Sequence, residues 1–176
     1  HPRPGRECAV TRVEVLFRDT RWLVLDKPAG LPTAGPVSSG RETLVDIARR
    51  IAKDTATLHP LSRLDADVTG VVIFALTHKA ARRADAAKRE GRYRRCYLGL
   101  TPAPPAPADG AWTWPIAIDP RDAARRTTGE GREPQDARTE YRTLATATSG
   151  VALVEFWPVT GRTHQLRVHA QAAGVP

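Results

Sequence analysis

The chain has 176 residues, 41% hydrophobic and 26% charged, with 27 Lys and Arg against 19 Asp and Glu for a net charge of +8. This is enough chain to bury a core, and neither a disordered composition nor an apolar run of about 18 residues, as a membrane span needs, is present. Two cysteines, Cys8 and Cys96, cannot build a disulfide framework or a four-ligand zinc site.

Residues 1–12 carry Pro2, Pro4 and Gly5 and read as a loose N-terminal segment. Val13 to Phe17 and Trp22 to Leu25 are short runs of strand formers separated by Arg18-Asp19-Thr20, which predicts a hairpin. Lys27-Pro28-Ala29-Gly30-Leu31-Pro32 breaks the chain into a loop. Leu44, Ile47, Ala48 and Ile51 fall at helical spacing within Glu42 to Ala52. Val71 to Leu76 is a continuous apolar run and predicts a buried strand. His78 to Arg89 predicts a basic, Ala-rich helix that stops near Gly91.

Arg92 to Leu100 and Trp112 to Ile118 predict two more strands, with a proline-rich loop over 101–108 between them. Residues 119–138 have no apolar period and predict a long loop or mobile insertion. Thr139 to Leu144 and Val151 to Val159 predict a hairpin around Ser149-Gly150. Thr163 to Ala173 predicts a last helix, capped by Thr160 or Thr163, with Gly161 permitting a sharp turn into it. Strands joined by short turns, with three scattered helices, predict an α+β fold. Its sheet is expected to be mixed and mostly antiparallel, with flanking helices.

Only four of the 27 cationic residues are lysines, and an arginine-rich, basic chain carries the electrostatic footprint of a polyanion binder. A genome that writes Arg for Lys is the competing explanation of the ratio. Phosphate-binding glycine loops, paired metal histidines and a serine-nucleophile elbow are all missing from the sequence. His164 and His169, five residues apart, point roughly 140° apart on a helix and suit no shared metal. Cys96 is expected to be a small core residue, not a nucleophile.

Two stretches remain. In Arg63-Leu-Asp65-Ala-Asp67-Val-Thr-Gly70, a carboxylate sits on a loop that feeds a rigid strand. Asp65 could do chemistry there, or simply pair with Arg63 or cap a turn. In Gly161-Arg162-Thr163-His164-Gln165-Leu166-Arg167-Val168-His169, two arginines lie near a helix start, where anions are attracted. A solvated basic helix face is the alternative.

On these residues the chain resembles the RluA class of RNA pseudouridine synthases. Arg63-Leu64-Asp65 with Gly70 resembles the catalytic-aspartate motif, and Gly161 to His169 resembles the late motif. Lys27-Pro28-Ala29-Gly30-Leu31 is similar to the early loop motif. Arg95-Cys96-Tyr97-Leu98 is similar to the Lys-x-Tyr strand, with Arg95 in place of Lys. Ser62 stands where the family usually has His, and Val68-Thr69-Gly70 stands for its Thr-Ser-Gly. The resemblance covers residues 13–176 as a catalytic domain. It implies further C-terminal elements beyond Gly174-Val175-Pro176, and the absence of Met likewise suggests a piece of a longer chain.

The resemblance implies isomerisation of uridine to pseudouridine in rRNA or tRNA, without cofactor or metal. Asp65 would be the essential carboxylate, attacking C1′ or removing the 2′ proton; both routes stay open. Tyr97 would stack on the base and take the C5 proton, and Arg167 would pair with Asp65. Leu166 would line the uracil pocket, and Arg63 would fill the place of the flipped-out base or else pair with Asp65. Arg162, His164, Gln165, Arg89, Arg92 and Arg95 are the remaining expected RNA-binding residues.

Residues 82–95 hold seven basic and two acidic side chains and are the expected phosphate-binding segment. The expected partner is structured RNA, with no membrane; the expected compartment is cytoplasmic, and a monomer is the default. A non-catalytic RNA-binding relative on the same scaffold is the alternative. A nucleoside hydrolase using Asp65 with Asp67 would instead release free uracil.

Overall fold

The computed structural model describes residues 12–36, 40–53, 55 and 57–176. The expected loose segment therefore lies outside the described residues except for Arg12. The described chain forms two compact units, one ending at Arg92 and the other running Tyr93–Pro176. The fold is α+β, with antiparallel sheets and flanking helices.

The first unit holds β1 (Glu14–Arg18), β2 (Trp22–Lys27), α1 (Leu44–Ala52), β3 (His59–Pro60), β4 (Gly70–Ala75) and α2 (His78–Arg89). Its antiparallel sheet has the order β1-β2-β4-β3. The predicted hairpin forms, and Asp19 shapes its turn by accepting the amides of Arg21 and Trp22 at 2.7 and 2.6 Å. Alternation along β2 turns Leu23, Leu25 and Lys27 inward, and all three are fully buried. Leu23 and Leu25 meet Val72 and Phe74 of β4 and Leu44, Ile47 and Ala48 of α1 in one core.

Helix α1 starts where a capping box stops fraying. Thr43 accepts the Asp46 amide at 3.3 Å, and the Asp46 carboxylate accepts the Thr43 amide at 3.0 Å. The Thr43 hydroxyl, then its amide, and then Arg49 and Arg50 outweigh burial and hold the Asp46 carboxyl below its usual range. The predicted buried strand at Val71–Leu76 forms as β4 with Leu76 just after it, and Val72, Phe74, Ala75 and Leu76 are buried. Val72, Phe74 and Leu76 share the phase that packs in the core cluster, while Val71 at the strand's start is 55% exposed.

The second unit holds β5 (Tyr97–Thr101), β6 (Asp109–Trp112), β7 (Ile116–Ile118), β8 (Arg126–Thr127), β9 (Arg132–Gln135), β10 (Thr139–Thr146), β11 (Ala152–Pro158) and α3 (Gln165–Ala172). One antiparallel sheet has the order β5-β11-β10-β6, and a small one β8-β7-β9. The predicted hairpin is β10–β11. Its inward residues Tyr141, Ala152, Val154 and Phe156 pack with Trp112 and with Ala170 of α3.

Three expectations change here. The single strand predicted over Trp112–Ile118 is two strands in different sheets, because Pro115 lacks the amide a ladder needs and interrupts the run. The predicted loop at 119–138 contains β8 and β9. It showed no apolar period because β9 is exposed at every residue, and it joins the small sheet by pairing with β7. Cys96 is exposed, with its thiol 3.0 Å from a Glu155 carboxylate oxygen. It precedes β5 on the outward phase, and burial followed by the Glu155 carboxylate pushes its thiol pKa up, away from nucleophilic character.

Candidate active site

Asp65 lies on the segment between β3 and β4, and the structure fixes the main chain on either side of it. The Thr33 hydroxyl donates to the Leu64 carbonyl at 2.8 Å and accepts the Leu64 amide at 2.9 Å. The Lys27 ammonium donates to the Ala66 carbonyl at 2.7 Å. The Asp65 carbonyl accepts the Val68 amide at 3.1 Å, closing a turn over residues 66–67. Leu64 packs against the first unit's core, and Gly70 enters β4 with φ of +123°, which side-chain-bearing residues rarely adopt. Asp65 itself is half-buried, while Arg63 and Asp67 are exposed.

Lys27 is fully buried, and its ammonium has three protons to place. They go to the carbonyls of Pro28, Leu31 and Ala66 at 2.9, 2.6 and 2.7 Å. Desolvation pushes its pKa down, and the charges of Asp67 and Asp65 oppose that shift. The early loop motif is thus tied by its first residue to the segment that carries Asp65. A cation one alternation beyond Leu23 and Leu25 was the signal in the sequence. The contribution of Thr33 had no local signal.

Tyr97 opens β5 opposite Phe156 of β11, is half-buried, and packs against the second unit's aromatic cluster. On α3, Leu166 packs against the same cluster and Arg167 is exposed. Asp65 thus belongs to the first unit, and Tyr97, Leu166 and Arg167 to the second.

The helix start differs from expectation. His164, not a threonine, is the N-cap, in a left-handed conformation with φ of 56° and no side-chain capping bond. Thr160 spends its hydroxyl on the Gln165 Oε1 at 2.8 Å. Gly161 does not supply the turn's positive φ. A Cβ there would lie 3.1 Å from an Arg95 Nη1, so Gly161 makes room for that guanidinium.

Gln165 is 4% exposed. Its Oε1 also accepts the Arg162 amide at 3.0 Å, and its Nε2 donates to the Arg138 carbonyl at 2.9 Å and the Thr139 hydroxyl at 3.0 Å. Thr139 Oγ1 lies 3.0 Å from His169 Nδ1, and His169 Nε2 lies 2.9 Å from the Trp114 carbonyl. That carbonyl can only accept, so Nε2 carries the proton and Nδ1 accepts from Thr139. Burial pushes the His169 pKa down, against the pull of the Trp114 carbonyl. This network ties α3 to β10 and to the loops before both.

Among the other expected RNA contacts, Arg95 donates to the carbonyls of Pro158 and Thr160 at 3.1 and 2.7 Å. Arg162 is exposed, and its Nε donates to the Asp136 carbonyl at 2.9 Å. Arg89, like Arg82 and Arg83, is exposed on α2, and the exposed Arg92 pairs with Glu90. Among the described residues no group of three His, Cys, Asp or Glu could hold a metal ion, and no helix is long and apolar enough to cross a membrane.

Comparison with known proteins places these elements in context. Residues 21–172 match the family model described as RNA pseudouridylate synthase. The chain is 32% identical over 164 residues to the dual-specificity RNA pseudouridine synthase RluA of Salmonella typhi, covering 92% of this chain and 73% of that protein. It is 34% identical to a mitochondrial pseudouridylate synthase of Xenopus tropicalis, covering 89% of this chain and 55% of that protein.

The solved structure of human RNA pseudouridylate synthase domain containing 1 superposes with a TM-score of 0.74 at 26% identity, covering 99% of this chain and 69% of that one. For human RNA pseudouridylate synthase domain containing 4 the TM-score is 0.67 at 29% identity, covering 92% of this chain and 65% of that one. The chain thus spans somewhat under two thirds of the latter's length.

Proposed function

This chain belongs to the RNA pseudouridylate synthase family, and from that premise we propose that it isomerises uridine to pseudouridine in structured RNA, with Asp65 as the essential carboxylate. The observation that carries the reading is the family match over residues 21–172, which spans the fixed Asp65 segment.

In the proposed reaction the N1–C1′ bond breaks, the uracil turns, and C5 bonds to C1′. The C5 proton leaves and N1 gains one, so the product is an isomer of the substrate. Positive charge develops at C1′ as the base departs, and a fixed carboxylate stabilises it there. Asp65 either attacks C1′ itself, or takes the 2′ proton so that a C1′–C2′ double bond forms as the base leaves, and returns that proton when C5 bonds to C1′. Tyr97 attends the base and takes the C5 proton, Leu166 offers apolar surface to the uracil, and Arg167 is the proposed cation of the reaction.

A stacked uridine must leave its helix first, at a cost of roughly a few kcal/mol. The exposed Arg63 is the proposed side chain to take its place, since a guanidinium plane stacks on bases. The exposed arginines of α2, with Arg92 and Arg162, are the proposed phosphate contacts. Arg95 and Gln165 are proposed to act indirectly, because their polar atoms hold the loop before α3. The substrate class is proposed as rRNA or tRNA, in keeping with the dual-specificity title of the Salmonella relative.

The test is pseudouridine formation in bulk cellular RNA, read by mass-shift labelling. Asp65→Asn is expected to abolish it while RNA binding persists. Near-normal turnover by that variant refutes the mechanism. Binding without turnover by the unaltered chain favours a passive RNA binder.

A further inference from the structure

We propose that Thr33 is a positioning residue for Asp65: its one hydroxyl grips both polar main-chain groups of Leu64 and so sets where the next residue's carboxylate stands. The inference rests on the reading of Asp65 as the essential carboxylate.

A hydroxyl can donate once and accept, and Thr33 uses both capacities on one residue, at 2.8 Å to the Leu64 carbonyl and 2.9 Å from its amide. Thr33 is 2% exposed, so water does not compete for either bond. Its own backbone is anchored in turn. The Thr33 carbonyl accepts the Val45 amide at 3.1 Å, and the Pro32 carbonyl accepts the Leu44 amide at 2.9 Å. These carbonyls satisfy amides of the first turn of α1 that have no intrahelical partner. The grip on Leu64 is therefore mounted on a capped helix.

On the far side of Asp65, the Lys27 ammonium holds the Ala66 carbonyl at 2.7 Å. Residues 64 and 66 are thus held by two buried side chains, and the main chain between them has little room to shift. Asp65 need contact neither holder for this to work. A misplacement of about 1 Å in a reacting group can cost roughly 100-fold in rate.

The test uses the unaltered chain with Thr33→Val, Thr33→Ser and Thr33→Ala. Valine keeps the volume and removes donor and acceptor, serine keeps the hydroxyl, and alanine leaves space for water if valine fails to fold. Single-turnover pseudouridine formation on bulk cellular RNA is measured across enzyme concentrations. Exchange of the Leu64 amide is followed in parallel without RNA.

Thr33→Val, or Thr33→Ala in its place, is expected to slow the saturated rate about 10- to 100-fold with the half-saturating concentration unchanged. Serine should restore the rate to within about 3-fold, as one retained hydroxyl can make both bonds. The Leu64 amide should exchange faster in the valine and alanine variants only.

An unchanged saturated rate in both of those variants overturns the inference, and so does a loss that serine fails to restore. A loss confined to the half-saturating concentration overturns it too. These outcomes leave the proposed function standing, because the unaltered chain is then active. If the unaltered chain forms no pseudouridine, the proposed function itself fails and the inference falls with it.

Discussion

Replacing Gln165 with leucine separates two roles that the late motif allows, contact with RNA and support of the chain. The substitution removes four hydrogen bonds made at 2.8 to 3.0 Å by a side chain that is 4% exposed. Some partners keep an alternative. The Arg138 carbonyl still accepts the Val159 amide at 2.9 Å, and Thr139 still meets His169 at 3.0 Å. The Arg162 amide and the Thr160 hydroxyl proton lose the acceptor that Oε1 provides.

Two orphaned donors at about 1 kcal/mol each, and two further lost bonds at about 0.5 kcal/mol each, come to about 3 kcal/mol. Leucine's added apolar burial offsets about 1 kcal/mol, leaving a net loss near 2 kcal/mol. Equilibrium urea unfolding followed by tryptophan fluorescence reads this directly, since Trp112 and Trp114 both lie against the His169 ring. RNA affinity is measured alongside. A stability loss below about 0.5 kcal/mol together with weakened RNA binding would refute the support role.

Two predictions concern pH and capping. The folded His169 pKa lies below the unfolded value of 6.5, so the unfolded chain binds the proton first as pH falls. His169 therefore contributes stability that is full above that value and drains as pH drops toward the lowered folded pKa. Unfolding free energies at about pH 7.5 and 5.5 should differ less in His169→Gln than in the unaltered chain, and equal differences would contradict the assignment.

Thr43→Ala should cost about 1 kcal/mol by removing the cap of α1, read as a lower melting temperature. It should also release the Asp46 carboxyl, whose stabilising contribution is present above 3.8 and lost as pH falls through the lowered folded pKa. An unchanged melting temperature argues that the Asp46 side chain alone holds the helix start.

Residue order alone was enough for much of this protein. The hairpins, all three helices and the antiparallel α+β character follow from local period and turn residues, because side-chain alternation and helical spacing act over a few positions. The motif around Asp65 and the one around Arg167 were legible for the same reason, since each is contiguous. Tertiary structure decided the rest. β8 and β9 each pair with β7, and their residues Arg126-Thr127 and Arg132 to Gln135 leave no apolar pattern to read.

Gln165 looks like any polar residue of a basic motif until β10 and the loop before α3 close around it. Thr33 is one more loop threonine until chain closure brings it to Leu64, 31 residues away. Local periods say which way a side chain faces along its own element. Which distant main-chain group it meets depends on how loops close over a shared core, and that is where the position of Asp65 is set.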